Sequence, residues 1–220
     1  MKNQNNESGR SMIEMLGVLA IIGVLSVGGI AGYSKAMMQY KINKTADQIT
    51  QIVGNIRTLF ANQRNYANFG YSCGYDQLVS IIKKAHLAPE EMWGDESNPH
   101  DFLEHPFGGY LTINCADKKS ANDYKAFGFD LRGLPEEACM ALATYDWGSG
   151  SSSGLISVAV NASSVYGSSD GYSIGCTGSS ADGQAVACPN GPTVSVPMPV
   201  NVAASACHEG DDNAISLKFY

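Results

Sequence analysis

The chain has 220 residues, 44% of them hydrophobic, enough to bury one ordinary globular core with an appendage and too few for a second full domain. A formal net charge of -7 repels nucleic acid, and the pairs Lys83/Lys84 and Lys118/Lys119 are too small to reverse that field, so no nucleic acid partner is expected. Six cysteines, Cys73, Cys115, Cys139, Cys176, Cys188 and Cys207, form an even set without a CxxC spacing, which favours disulfides in an oxidising compartment over zinc or any other metal.

In chain order, the first nine residues, "MKNQNNESG", are polar and unpatterned and read as a leader. From Met15 to Ser34 twenty residues pass without a charge. At about 1.5 Å per residue they span about 30 Å, the thickness of a bilayer core. Lys2 and Arg10 precede the span and Lys35, Lys41 and Lys44 follow it, so charge does not orient it. The cysteines, all beyond residue 70, put the C-terminal part outside. An ordinary cleaved signal peptide with a site at Gly29-Ile30-Ala31 is the simplest alternative, but the apolar run is longer than such a core and begins with an acid, Glu14. A carboxylate at the edge of hydrocarbon normally has a partner or a task.

The stretch "GRSMIEMLGVLAIIG" at 9–23 resembles the cleavage signal of type IV pilins and pseudopilins: a glycine before the cut, then a glutamate as the fifth mature residue, then an apolar run. The resemblance implies that a membrane-embedded prepilin peptidase cuts between Gly9 and Arg10 on the cytoplasmic side, leaving the apolar segment as an anchor, and that the new N-terminus at Arg10 is the methylation site. Arg10 stands where the family usually has phenylalanine or methionine. The resemblance also implies an inner-membrane precursor with its head in the periplasm, an inner-membrane assembly platform and self-association into an extracellular filament. There Glu14 neutralises the new α-amino group of a neighbouring copy, and in a low dielectric such a pair fixes one axial register.

No proline occurs before Pro89, so nothing breaks a helix in the first third of the chain. Ile42, Ala46, Ile49, Val53, Ile56 and Phe60 recur every three or four positions, predicting an amphipathic helix with one buried stripe. Asn43, Lys44, Asp47, Gln48 and Gln51 fill its other faces. Anchor (10–34) and amphipathic half (35–66) read as one rod of about 50 residues, about 75 Å long. Glycines 17, 23, 28, 29 and 32 interrupt the anchor, and Gly28 with Gly32 forms a GxxxG pair that lets helices approach closely, although glycine is also simply common in membrane helices.

Residues 67–220 read as a head. "DQLVSIIKKAHL" at 76–87 predicts a short helix, and "HPFGGYLTIN" at 105–114 leads from a loop into alternation. Strands are predicted at Tyr110 to Ile113, Phe127 to Leu131, Leu155 to Val160, Val194 to Val202 and Ile215 to Phe219. "LPEEACMALATY" at 134–145 predicts a helix with proline at its start and acids in its first turn. The expected fold is α+β, an antiparallel sheet laid on the long helix. "GLPEEACMALAT" at 133–144 is similar to type IVb major pilins, which implies a disulfide between Cys139 and Cys207. Such a bond closes a loop of about 70 residues and contributes about 4 kcal/mol in the chain-entropy model. Cys176 with Cys188 and Cys73 with Cys115 then complete the set, a pairing that sequence alone leaves open. The Gly- and Ser-rich stretches at 148–154 and 166–183 read as surface loops.

Chemistry is not expected. Gly150-Ser151-Ser152-Ser153-Gly154 matches GxSxG, yet the predicted strand follows it instead of preceding it. "HDFLEH" at 100–105 has the spacing HxxxEH, and Pro99 and Pro106 bracket it, so His100, Glu104 and His105 do not share a metal-binding helix face. The resemblance thus implies a structural pilus subunit, with no catalytic residue and no cofactor. The alternatives are a minor pilin or secretion pseudopilin and, in a different class, a secreted binding or enzymatic domain starting near residue 32.

Overall fold

The structure is a computed structural model that describes residues 8–67, 81–82, 84–94, 103–116, 124–147, 154–161, 176–177 and 198–220. The first helix, α1 (Ser8–Phe60), runs 53 residues without interruption, as a stretch free of proline allows. The chain divides into two compact units, Met1–Lys41 and Ile42–Tyr220.

In the second unit, the stripe at Ile42, Ala46, Ile49, Val53 and Ile56 is buried, with Ile52 added to it. Helix α1 stops at Phe60, short of residue 66, because "ANQRN" at 61–65 offers no apolar face and is exposed. The chain turns so that Tyr66 lies between Phe60, with ring centroids 5.1 Å apart, and Phe127 at 4.8 Å. A one-turn 3-10 helix (Glu90–Met92) follows, and a further stretch of helix is described at 81–82 and 84; the rest of the helix expected at 76–87 lies outside the described residues.

Among the described residues six strands form one sheet in the order β1-β2-β3-β6-β4-β5: β1 (Leu103–Glu104), β2 (Tyr110–Ala116), β3 (Ala126–Leu134), β4 (Leu155–Val160), β5 (Cys176–Thr177) and β6 (Asn213–Phe219). The C-terminal strand therefore sits mid-sheet between β3 and β4. Period-two alternation aligns rows across the strands: Leu111, Leu131, Ile215 and Val160 form one, and Ile113, Phe129, Leu217 and Val158 another. All eight are buried, and the C-terminal half of α1 packs on this sheet. Four of the five pairings are antiparallel; β4 and β5 run parallel, a departure from the expected sheet. The 15 residues between Val160 and Cys176 exceed the dozen or so that a parallel crossover needs, so no hairpin constrains that pair.

Helix α2 (Glu136–Ala143) starts after Pro135, which has no N–H to orphan. Glu136 and Glu137 occupy its first turn, and the Glu136 N–H donates to the Gly210 carbonyl at 3.2 Å. Helix α3 (Val200–Ala206) overturns part of the strand expected at Val194 to Val202. Pro199 takes the cap position with φ -61, and the Ala-rich sequence behind it continues as helix, so Val200 to Val202 are helical. Residues 194–197 lie outside the described residues.

A close crossing ties β1 and β2 to β3. Gly133 has φ 81 at the register shift between Arg132 and Leu134, and a Cβ on Gly109 would run into the Arg132 carbonyl and the His105 ring. His105 is buried in this corner. Its Nε2 lies 2.9 Å from the Arg132 carbonyl and its Nδ1 3.4 Å from the Phe107 N–H, so the tautomer with Nδ1 accepting and Nε2 donating fits both. Burial lowers its pKa below the usual 6.5, against smaller raising effects of the Arg132 carbonyl and Glu104. Half of "HDFLEH" is thus hairpin and core; His100 lies outside the described residues.

Candidate assembly interface

Along α1 the environment changes while the helix does not. Met12, Ile13, Leu16, Leu19, Ile22, Val24, Leu25, Val27 and Ile30 are all exposed, reaching 75% at Val24, whereas Ile49, Ile52 and Ile56 are at 0%. The exposed residues lie on every side of the helix, so no single stripe could hide them against a sheet. By length and composition this helix can cross a membrane. The hydroxyls of Ser26 and Ser34 donate to the carbonyls of Ile22 (2.7 Å) and Ile30 (3.0 Å), which removes their cost in an apolar surrounding.

Gly9 and Arg10 belong to the first turn of α1; their side-chain surroundings lie outside the described residues. Glu14 is exposed one turn further on. Gly28 and Gly32 face open space: among the described residues, and apart from the backbone of their own turns, no atom lies within 4 Å of where a Cβ would be. Cys139 and Cys207 are bonded to each other, with Cα atoms 5.9 Å apart, the pair that the family resemblance implied. Cys115 is buried and disulfide-bonded, but Cys73 lies outside the described residues. The same holds for Cys188 and for the side chain of Cys176, whose backbone belongs to β5. The loops at 148–153 and most of 166–183 are likewise outside them.

Three contacts of the buried half had no sequence signal. Gln48, expected on a polar face, is 5% exposed, because its Nε2 donates to Glu91 Oε1 at 2.7 Å. Lys44 holds the other oxygen of that carboxylate at 3.0 Å, and the hydrogen bonds from Lys44 and Gln48 lower the Glu91 pKa below 4.5. Asn55 Nδ2 donates to the Leu87 carbonyl at 2.9 Å, so residues 87–91 are fastened to α1 at two points. Beside the disulfide, buried Asn213 gives Nδ2 to the carbonyls of Leu134 (3.2 Å) and His208 (2.9 Å), and its Oδ1 accepts from the His208 N–H and Asn161 Nδ2, both at 2.9 Å. Asn161 reaches the Ala206 carbonyl in turn, so two amides join the ends of α3, β3, β4 and β6.

Over residues 35–219 the sequence matches the family model of bundlin. The chain belongs to the bundlin family. No curated protein matches it. Among solved structures, the chain is similar to TcpA, a type IV pilin from Vibrio cholerae El Tor biotype, with TM-score 0.50 and 13% identity over 82% of this chain and 99% of that one. It is also similar to the type IVb pilin from Salmonella typhi, with TM-score 0.48 and 12% identity over 80% of this chain and 97% of that one. Fold and family together make the chain a structural subunit of a pilus, one that polymerises with copies of itself. It is a membrane-anchored precursor first and part of an extracellular filament afterwards.

Proposed function

We propose that this protein is a major, type IVb-like pilin made as a precursor, which a membrane-embedded peptidase cuts between Gly9 and Arg10. The retained segment 10–34 anchors it in the inner membrane in a single pass with the head, 67–220, in the periplasm. The Cys139–Cys207 bond and the bonded Cys115, which favour an oxidising compartment, support that orientation. The assembly platform then transfers subunits into the filament, where Glu14 pairs with the new α-amino group at Arg10 of a neighbour, and Gly28 with Gly32 lets anchors pack closely. Methylation of Arg10 would keep that amino group basic.

One observation carries this reading: Glu14 stands exposed on an unbroken helix whose large apolar residues are exposed around it. A carboxylate left unpaired when those residues are buried between copies is costly, so subunits that offer it a cation are selected into one stagger. Cells carrying Glu14→Ala should process and accumulate the pilin yet display no filaments by electron microscopy. Abundant normal filaments from that variant would overturn the proposal.

A further inference from the structure

The turn that joins β1 to β2 is tied to the rest of the sheet by one imidazole. The His105 N–H donates to the Gly109 carbonyl at 3.2 Å and the Gly108 N–H to the His105 carbonyl at 2.9 Å, with Gly108 at φ 82, so residues 105–109 close on themselves. His105 is only 4% exposed, and its ring spans the corner: Nε2 gives its hydrogen to the Arg132 carbonyl on β3, while Nδ1 accepts from the Phe107 N–H. The packing is tight, since a Cβ on Gly109 would stand 2.7 Å from Nε2 and closer still to the Arg132 carbonyl.

Only the neutral ring fits both bonds. A proton on Nδ1 would face the Phe107 N–H, donor against donor, and would leave a cation in a buried corner. Burial accordingly lowers the ring's pKa below 6.5. Among the described residues, the charged groups on the elements around the corner are Glu104 on β1, Arg132 on β3, Glu90 and Glu91 on the 3-10 helix that packs on β1, and Asp211 and Asp212 in the loop before β6. Glu104 is the one of these whose charge acts on the ring, raising its pKa, and it is exposed.

We propose that His105 is an acid-operated latch: neutral, it binds the turn at 105–109 to β3, and protonated, it leaves the corner for solvent and Glu104, so that this edge opens while the rest of the head stays folded. The edge can open alone because β1 is two residues long, held by two pairs to β2 and by one bridge from Leu103 to Trp93. The buried rows across β2, β3, β6 and β4 do not pass through the ring. Opening uncovers Phe107 and Leu103, the latter 3% exposed when the corner is shut. A histidine that merely filled space would instead weaken the whole head with acid.

Hydrogen exchange read by mass spectrometry separates the two, on the full-length chain in detergent at about pH 7.5 and about pH 5, with intrinsic exchange rates corrected for pH. Amides at 103–110 should lose protection on the order of tenfold at the lower pH, while 42–56 and 213–219 keep theirs. Unchanged protection at 103–110, or an equal loss in all three segments, would overturn the latch. Glu104→Gln removes the carboxylate that receives the cation and should move the midpoint of opening down by about half a pH unit. A midpoint that does not fall would contradict the exchange between the two ring positions. His105→Gln offers a donor and an acceptor and takes up no proton, so the corner should stay shut at both pH values. Acid opening in that variant would assign the response to another group and sink the proposal. Should His105→Gln fail to accumulate, the parent chain and Glu104→Gln decide.

Discussion

From Met12 to Ala36, α1 exposes leucine, isoleucine and valine all round, while from Ile42 to Ile56 the same residue types are sealed against the sheet. The backbone is one continuous helix in both stretches, so local structure is not what differs. The second stretch spaces its apolar residues by three or four and puts Asn43, Asp47 and Gln51 between them; the first has no polar face. A stripe can be satisfied within one chain, whereas a fully apolar cylinder needs lipid or other copies. The helix therefore joins a part whose stability is intramolecular to a part whose burial depends on assembly.

That division can be broken by mutation. Replacing both Cys139 and Cys207 with serine should cost the head about 4 kcal/mol, because the bond closes a long loop. Urea unfolding with a soluble-head readout measures this, and membrane insertion through α1 should be unchanged. Next, Ile52→Ala should destabilise the head by about 3 kcal/mol, since its side chain is wholly buried. Ile21→Ala in the exposed stretch should change the same unfolding curve by less than about 0.5 kcal/mol and act only on filament yield. Similar losses from both variants would erase the distinction between the two stretches. A smaller loss, about 2 kcal/mol, is expected for Asn213→Ala, which leaves the buried carbonyl of Leu134 and the part-buried one of His208 without their donor.

The weakest expected effect is on pH. His105 has a folded pKa below 6.5, so the unfolded chain binds its proton first, and the stability that the neutral ring contributes is present above 6.5 and is lost as pH falls towards the depressed value. Glu91, also depressed, contributes above 4.5 and loses its part lower still. Head stability should decline on acidification in that order, and His105→Gln should flatten the first portion. A decline that His105→Gln leaves unaltered would remove the ring from the account.

Much of this was legible in the residues. The stripe from Ile42 to Ile56, the strands at β2, β3, β4 and β6, and helix α2 behind Pro135 follow from period and capping alone. At Val200 to Val202 the expected strand gives way to helix because Pro199 caps α3 and the Ala-rich sequence behind it continues the turn. Gln48 and Asn213 escaped notice because their partners are distant in sequence: Glu91 is 43 positions from Gln48, and Leu134 is 79 from Asn213.

The measurement closest to the central claim is the N-terminal sequence of the chain recovered from purified filaments. A start at Arg10, with residues 12–34 retained as the assembly surface, is the predicted result. A start near residue 32, with the apolar stretch gone, would contradict the account.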